Sequence, residues 1–164
     1  MVRSVLLACV MVFAQFAAVA QSAAPPASVR VTGLDHQTIT LSGADLAQLS
    51  RHTVQLDVHG HTHVFSGPLL ADILARVHAP NGETLRGADL TDVVLVAARD
   101  GYQVALTLGE IDSALGAKTV ILADIMDGAA ITAANGPFQL VVEGDHRPAR
   151  AARMVTSITL VRAH

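Results

Sequence analysis

The feature that most constrains the fold of this chain is a series of short strand-like segments separated by turn-forming residues. The clearest pair spans residues 93–99 and 102–108, joined by Asp100-Gly101. An Asp-Gly pair tolerates the positive φ angles of a type I′ turn, whose twist matches the strands that it connects. These residues therefore predict a β-hairpin.

Further apolar or alternating segments predict strands at residues 29–32, 38–41, 53–58, 63–65, 119–123, 138–142 and 157–162, with the last one finishing the sheet. Three short helices are predicted between them. One follows the cap residue Ser42, one starts at Gly67-Pro68, and one follows a capping box that begins at Thr107. Because strands outnumber helices and mostly follow one another directly, we expect an α+β fold with a mainly antiparallel or mixed sheet and short helices.

The N-terminus has the pattern of a secretory signal. Arg3 precedes an uncharged apolar run over residues 5–20, which ends in the small-x-small sequence Ala18-Val19-Ala20. That run is shorter than a typical membrane-spanning helix, although an uncleaved N-terminal anchor is the alternative. The sequence thus predicts a signal peptide at 1–20, a linker at 21–28 and one domain at 29–164, with periplasmic or secreted localisation and no stable membrane insertion after cleavage.

Composition limits the chemistry of the domain. Cys9, the only cysteine, lies in the predicted signal, so the mature chain would have no disulfide, thiolate nucleophile or sulfur-ligated metal. Beyond residue 20 there are ten Lys and Arg against fourteen Asp and Glu, which argues against nucleic acid or an anionic membrane as a partner. The aromatic residues there are Phe65, Tyr102 and Phe138, so the core must be aliphatic.

Four stretches carry a resemblance to a known family. They are residues 66–74, the hairpin sequence at 98–102, the pair of segments 127–128 and 136–142, and residues 150–160. In their order and spacing the chain resembles the oxidoreductase molybdopterin-binding domain family, in a short secreted form. The resemblance covers nearly all of residues 29–162. It implies a sulfite-oxidase-like fold and suggests molybdopterin as the family's cofactor.

The departures from the family pattern concern the metal and the cofactor. The family's metal-binding cysteine would fall between Gln55 and His59, where this chain has none. The family's basic-Ser-x-basic-Trp pattern, whose basic residues help to hold the cofactor phosphate, is Arg150-Ala151-Ala152-Arg153-Met154 here. Both basic positions are retained, whereas the serine and the tryptophan are not. Whether the chain is an enzyme stays open, and the missing cysteine argues against molybdenum redox catalysis.

A cationic group in this acidic chain predicts an anion site. It consists of Arg147, Arg150 and Arg153 beside His146, and guanidinium groups suit phosphate, sulfate or carboxylate. We expect these arginines to bind a small anionic ligand, with Tyr102 at the pocket edge. The alternative is a solvated loop whose arginines pair with nearby carboxylates, namely Glu143 and Asp145.

A histidine cluster offers a second possibility. His59, His61 and His63 would share one face of a regular strand and could bind Zn²⁺ or Cu²⁺, with Asp57 or His52 as an added ligand. If Gly60 makes a hairpin turn, the imidazoles would instead splay apart on an exposed turn.

These observations favour a degenerate, non-molybdenum member of the family that binds a small anionic ligand or acts as an accessory module. The first alternative is a periplasmic Zn²⁺- or Cu²⁺-binding protein that uses the histidine cluster. The second is an active molybdopterin oxidoreductase with a histidine or aspartate ligand in the stretch 55–59. No Gly-x-Ser-x-Gly, phosphate-binding glycine loop or Gly-x-Gly-x-x-Gly motif is present, which argues against hydrolase and nucleotide chemistry.

Overall fold

The computed structural model of the protein describes residues 27–115 and 118–163. Within them lie eleven strands: β1 (Ser28–Thr32), β2 (Thr38–Ser42), β3 (Arg51–Val58), β4 (His61–Pro68), β5 (Val93–Ala98), β6 (Gln103–Thr107), β7 (Val120–Ala123), β8 (Ile125–Met126), β9 (Ala129–Ala130), β10 (Gln139–Val142) and β11 (Val155–Val161). The α-helices are α1 (Gly43–Ala47), α2 (Leu70–Ala75) and α3 (Leu108–Ile111), and 3₁₀ turns span Gly82–Thr84, Gly87–Thr91, Ser113–Leu115 and Pro148–Arg150. This composition confirms the predicted α+β class.

The predicted signal peptide and residues 21–26 of the predicted linker lie outside the described residues. The first strand begins at Ser28, one residue before the predicted start of the domain. Among the helices of the described ranges, none combines the length and the apolar character needed to cross a bilayer.

The largest sheet has five strands in the order β2-β1-β11-β5-β6. All its pairs are antiparallel except β1 and β11, which run parallel with Arg30 opposite Ser157. The strand expected to finish the sheet is therefore one of its inner strands. Val155, Ile158 and Leu160 are buried, which suits a strand with a neighbour on each side.

A two-stranded ribbon of β7 and β10 separates two apolar cores, and every one of its residues is buried. Because successive strand residues point to opposite faces, Leu122 and Leu140 enter the larger core, which includes the apolar residues of α2 and the five-stranded sheet. Ile121 and Val141 enter a smaller core beneath the four-stranded sheet β3-β4-β8-β9. The continuous apolar runs in the sequence thus correspond to strands that are covered on both faces.

Gly67 marks the place where β4 crosses the ribbon. A Cβ atom added there would lie 2.1 Å from the carbonyl oxygen of Leu122 and 2.7 Å from the Cα of Ala123. The two backbones approach so closely that no side chain fits between them. The sequence interpretation of Gly67-Pro68 as a helix start was wrong, because β4 continues to Pro68 and α2 begins at Leu70.

The turn between β5 and β6 also differs from the expectation. Asp100 does not have a positive φ, whereas Gly101 has a φ of 87°, and its N–H donates to the carbonyl of Ala98 at 3.1 Å. These features define a type I turn followed by a left-handed glycine, which is the usual three-residue hairpin loop. The two-residue type I′ geometry occurs at His59-Gly60 and at Asp127-Gly128, where both φ angles are positive.

Candidate functional site

A cavity of about 310 Å³ lies between the β5–β6 hairpin and the segment that precedes β11. Its volume is at the small end of the range for ligand pockets in proteins. The lining residues come from three stretches that are distant in sequence: Asp100, Tyr102, Ala134, Asn135, Pro148, Ala149, Ala151, Ala152, Arg153 and Met154. Two of the four predicted ligand-binding residues, Tyr102 and Arg153, therefore meet here.

Arg153 is the cationic residue in the wall of this cavity. Its Nη1 donates to Oδ1 of Asn135 at 3.3 Å, and within the described ranges it makes no ion pair with a carboxylate. The backbone on either side is fixed, since the N–H of Met154 donates to the Asn135 carbonyl at 3.1 Å. A guanidinium whose partner is a neutral amide keeps donors and an uncompensated charge for an anion.

Tyr102 and Asp100 form the hairpin side of the cavity. The Tyr102 hydroxyl donates to the carbonyl oxygen of Ala149 at 2.5 Å and so ties the hairpin to the 3₁₀ turn, although 48% of the residue stays exposed. The Asp100 carboxylate accepts from the backbone N–H of Tyr102 at 3.0 Å. Tyr102 thus lines the cavity while remaining half exposed, and Asp100 shapes the turn.

Arg99 adds a second guanidinium beside the cavity, which the sequence analysis did not identify. Its Nη2 lies 3.0 Å from Sδ of Met154 and 3.4 Å from the carbonyl oxygen of Ala133. Two cations, Arg99 and Arg153, thus accompany one anion, Asp100. Asn135 was also missed, because the tripeptide Asn135-Gly136-Pro137 is typical of a turn and carries no signal of a binding site. Its function as a hydrogen-bond partner depends on the distant Arg153.

Arg150 is directed to a different set of partners and does not line the cavity. Its Nε and Nη2 donate to the two carboxylate oxygens of Asp145 at 2.9 and 2.6 Å, and its Nη1 donates to Glu110 at 2.5 Å. The hydrogen bonds from Arg150 hold the pKa of Asp145 below its usual value of 3.8, and those to Asp145 and Glu110 raise the pKa of Arg150. For Arg150, the structure shows the pairing with Asp145 that was the alternative to an anion site.

The remaining members of the predicted anion site do not converge either. Arg147 is exposed and precedes the Pro148–Arg150 turn, outside the cavity lining. Glu143, which was considered as an arginine partner, accepts instead from the backbone N–H of Thr119 at 3.1 Å. Of the three arginines spaced along this segment, Arg153 alone lines the cavity.

The stretch 55–59, where the family's metal-binding cysteine would fall, offers no ligand to the cavity. Leu56 is buried, and Val58 packs against the same small core as Ala151. Asp57 is exposed and accepts the N–H of Gly60 at 2.7 Å within its own turn. None of these five residues lines the cavity, so this stretch supplies no side chain that could bind molybdenum there.

The histidine cluster is not assembled as a three-ligand site. His59 occupies the type I′ turn with a φ of 56°, His61 is exposed, and the Nδ1 of His63 lies 2.6 Å from Oδ2 of Asp127. That contact joins β4 to the turn between β8 and β9, and it is the main reason that the pKa of Asp127 lies below its usual value. Over residues 27–115 and 118–163, no three His, Cys, Asp or Glu side chains are grouped as metal ligands.

Comparison with known proteins supports the fold. No protein-family model matches the chain, and no curated protein matches its sequence. In structure, the chain is similar to the sulfane dehydrogenase SoxCD from Paracoccus pantotrophus, with a TM-score of 0.58 and 15% sequence identity. The match covers 81% of this chain and 37% of that one, so this chain spans little more than a third of its neighbour's length. At this identity the similarity concerns the fold alone, which this chain shares with part of the sulfane dehydrogenase.

Proposed function

We propose that this protein is an exported, non-catalytic domain of molybdopterin-oxidoreductase-like fold that binds a small anion in the cavity beside Arg153. The observation that carries the proposal is the contrast between Arg153, whose hydrogen-bond partner is the neutral Asn135, and Arg150, which is held by two carboxylates. Only the former can offer a guanidinium to a ligand without first breaking an ion pair.

The nature of the cavity argues for binding instead of redox catalysis. Its volume of about 310 Å³ suits a small molecule, and its wall is rich in alanine. The stretch 55–59 gives it no metal-binding side chain, so a molybdenum centre would lack a protein ligand. An accessory module that captures or presents an oxyanion fits these features.

Titration of the isotope-labelled protein with sodium sulfate, followed by amide chemical shifts, tests the anion site. We expect saturable shifts at Asn135 and Met154, with the affinity lowered roughly fivefold in Arg153→Gln. Arg30→Gln is the matched control, because it removes the same charge from an exposed position on β1. Equal weakening by both variants would show that sulfate responds to net charge, and the proposed site would be wrong.

Elemental analysis of protein purified from its native host tests the non-catalytic part. We expect no stoichiometric molybdenum and no fluorescent pterin oxidation product. Stoichiometric molybdenum would overturn this part. Export has its own test, since the protein recovered outside the cytoplasm should begin at Gln21.

A further inference from the structure

Met154 and Met126 are the methionines of the described residues, and their surroundings differ. Met126 lies on β8 and packs against the smaller core, whereas Met154 lines the cavity beside Arg153. That cavity is open to solvent, because Arg153 and Tyr102 in its wall are exposed. A solute that enters the cavity can therefore meet the thioether of Met154.

The backbone holds Met154 in an uncommon conformation. Its φ is 55°, in the left-handed region that long side chains seldom adopt. Two backbone hydrogen bonds fix this conformation. The N–H of Met154 donates to the carbonyl of Asn135 at 3.1 Å, and the carbonyl oxygen of Met154 accepts from the N–H of Arg99 at 2.9 Å. Backbone strain persists only where the surrounding structure enforces it, and such residues are concentrated at functional sites.

The polar neighbour of the Met154 sulfur is a guanidinium. Nη2 of Arg99 lies 3.0 Å from Sδ of Met154 and 3.4 Å from the carbonyl oxygen of Ala133. Over the residues that the structure describes, Arg99 makes no ion pair with a carboxylate. A thioether is only a weak acceptor, so the sulfur does not satisfy this charged donor. An oxygen atom bonded to the sulfur would satisfy it.

We propose that Met154 is a site of oxidation by hydrogen peroxide, and that Arg99 promotes the reaction. A lone pair of the sulfur attacks one peroxide oxygen, so that an S–O bond forms and the O–O bond breaks. The sulfur loses two electrons and the peroxide gains them. The second oxygen takes the proton of the transferred hydroxyl and leaves as water. Negative charge develops on the leaving oxygen during this step, and the N–H groups of Arg99 beside the sulfur can stabilise it.

The product would change the cavity wall. Oxidation turns the apolar thioether into a polar sulfoxide, whose oxygen accepts a hydrogen bond from Arg99 more strongly than the sulfur does. An anion bound beside Arg153 would then meet a partly negative oxygen, so the sulfate affinity should fall. This second effect rests on the proposed function, whereas the oxidation itself does not.

Timed exposure of the folded protein to hydrogen peroxide, followed by peptide mapping with mass spectrometry, tests the proposal. Trypsin separates the two methionines, because it cleaves after Arg153. We expect Met154 to oxidise faster than Met126. Arg99→Ala should slow the oxidation of Met154 roughly fivefold, the effect of losing one hydrogen bond from a transition state. It should leave Met126 unchanged, and Arg99→Lys, which keeps a charged donor, should restore most of the rate.

Arg30→Ala is the matched control, because it removes an equal charge from an exposed position on β1. It should leave both oxidation rates unchanged. Equal slowing of Met154 by Arg99→Ala and Arg30→Ala would overturn the proposal, as would wild-type oxidation of Met154 in Arg99→Ala. Faster oxidation of Met126 than of Met154 in the wild type would also overturn it.

Sulfate titration before and after peroxide treatment tests the effect on the cavity. The affinity should fall in the wild type and stay constant in Met154→Leu, which has no sulfur at this position. An equal fall in both proteins would show that the sulfoxide of Met154 does not act on the anion. If the untreated protein does not bind sulfate, the proposed function is wrong, and the oxidation rates still decide this inference.

Discussion

Arg150 and Arg153 lie three residues apart, and the protein uses them in opposite ways. Arg150 makes three short hydrogen bonds to Asp145 and Glu110 and joins α3 to the turn after β10. Arg153 contacts only an amide oxygen and lines a cavity. Their spacing in the sequence suggested one site for one phosphate. The difference shows that the available charge of an arginine is set by the carboxylates that the fold places around it, which spacing does not reveal.

The largest effect is expected from a variant that disrupts the β7–β10 ribbon between the two cores, because the different surroundings of Arg150 and Arg153 depend on an intact fold. Gly67→Ala would place a methyl group 2.1 Å from the Leu122 carbonyl oxygen, where only backbone could move. We expect a loss of about 3 kcal/mol or more in the free energy of unfolding, measured by urea denaturation. Gly43→Ala is the control, because its φ is not positive and the nearest atom, the carbonyl oxygen of Ala27, would lie 4.0 Å from the added methyl group. If both variants lose equal stability, the close approach at Gly67 does not explain the effect.

Removing each guanidinium in turn should show that Arg150 contributes to stability and that Arg153 contributes to sulfate binding. Arg150→Ala removes the guanidinium from Glu110 and from Asp145, which keeps only the more distant Lys118 ammonium at 3.6 Å. We expect this to cost about 1–2 kcal/mol of unfolding free energy. Arg153→Ala should change stability by no more than about 0.5 kcal/mol while lowering sulfate affinity. Denaturation curves and sulfate titrations on both variants check this. A larger stability loss in Arg153→Ala would contradict the assignment.

The loss of folding stability at acidic pH should depend on the ion pair between Arg150 and Asp145, and it should not depend on Arg153. Because the folded-state pKa of Asp145 lies below 3.8, its stabilising contribution is present above pH 3.8 and is lost as the pH falls from there through the folded-state pKa. Asp145→Asn should therefore show a shallower fall in melting temperature below pH 4 than the wild type. Arg153→Gln should retain the wild-type slope, and a flattened slope in that variant would show that the two arginines are coupled.

The smallest effect is expected at the histidine cluster. Because His59 lies in the turn and His63 is held by Asp127, calorimetric titration with Zn²⁺ or Cu²⁺ should show binding no tighter than that of an unstructured histidine peptide. The tag-free protein and its His61→Ala variant should give the same result. Tight stoichiometric binding that His61→Ala abolishes would restore the metal-binding hypothesis.

Local patterns in the sequence predicted most strands, because alternation and turn residues report directly on burial and backbone geometry. The paired runs that became β5 and β6 are an example, and the cap residue Ser42 marked the start of α1 in the same local way. The parallel pairing of β11 with β1 could not be derived locally, since it joins residues more than 100 positions apart. The interior position of β11 depends in addition on its pairing with the distant strand β5. The sequence analysis did not identify two residues at the anion cavity for the same reason. Asn135 and Arg99 acquire their place only when three distant segments meet.

The interior position of β11 also bears on synthesis of the chain. Until residues 155–161 have left the ribosome, β1 and β2 have no bonded path to β5 and β6 in this sheet, because β11 is the strand that lies between the two pairs. The largest sheet therefore cannot close before residues 155–161 are available. Until the sheet closes, the incompletely folded chain could still pass through a narrow channel.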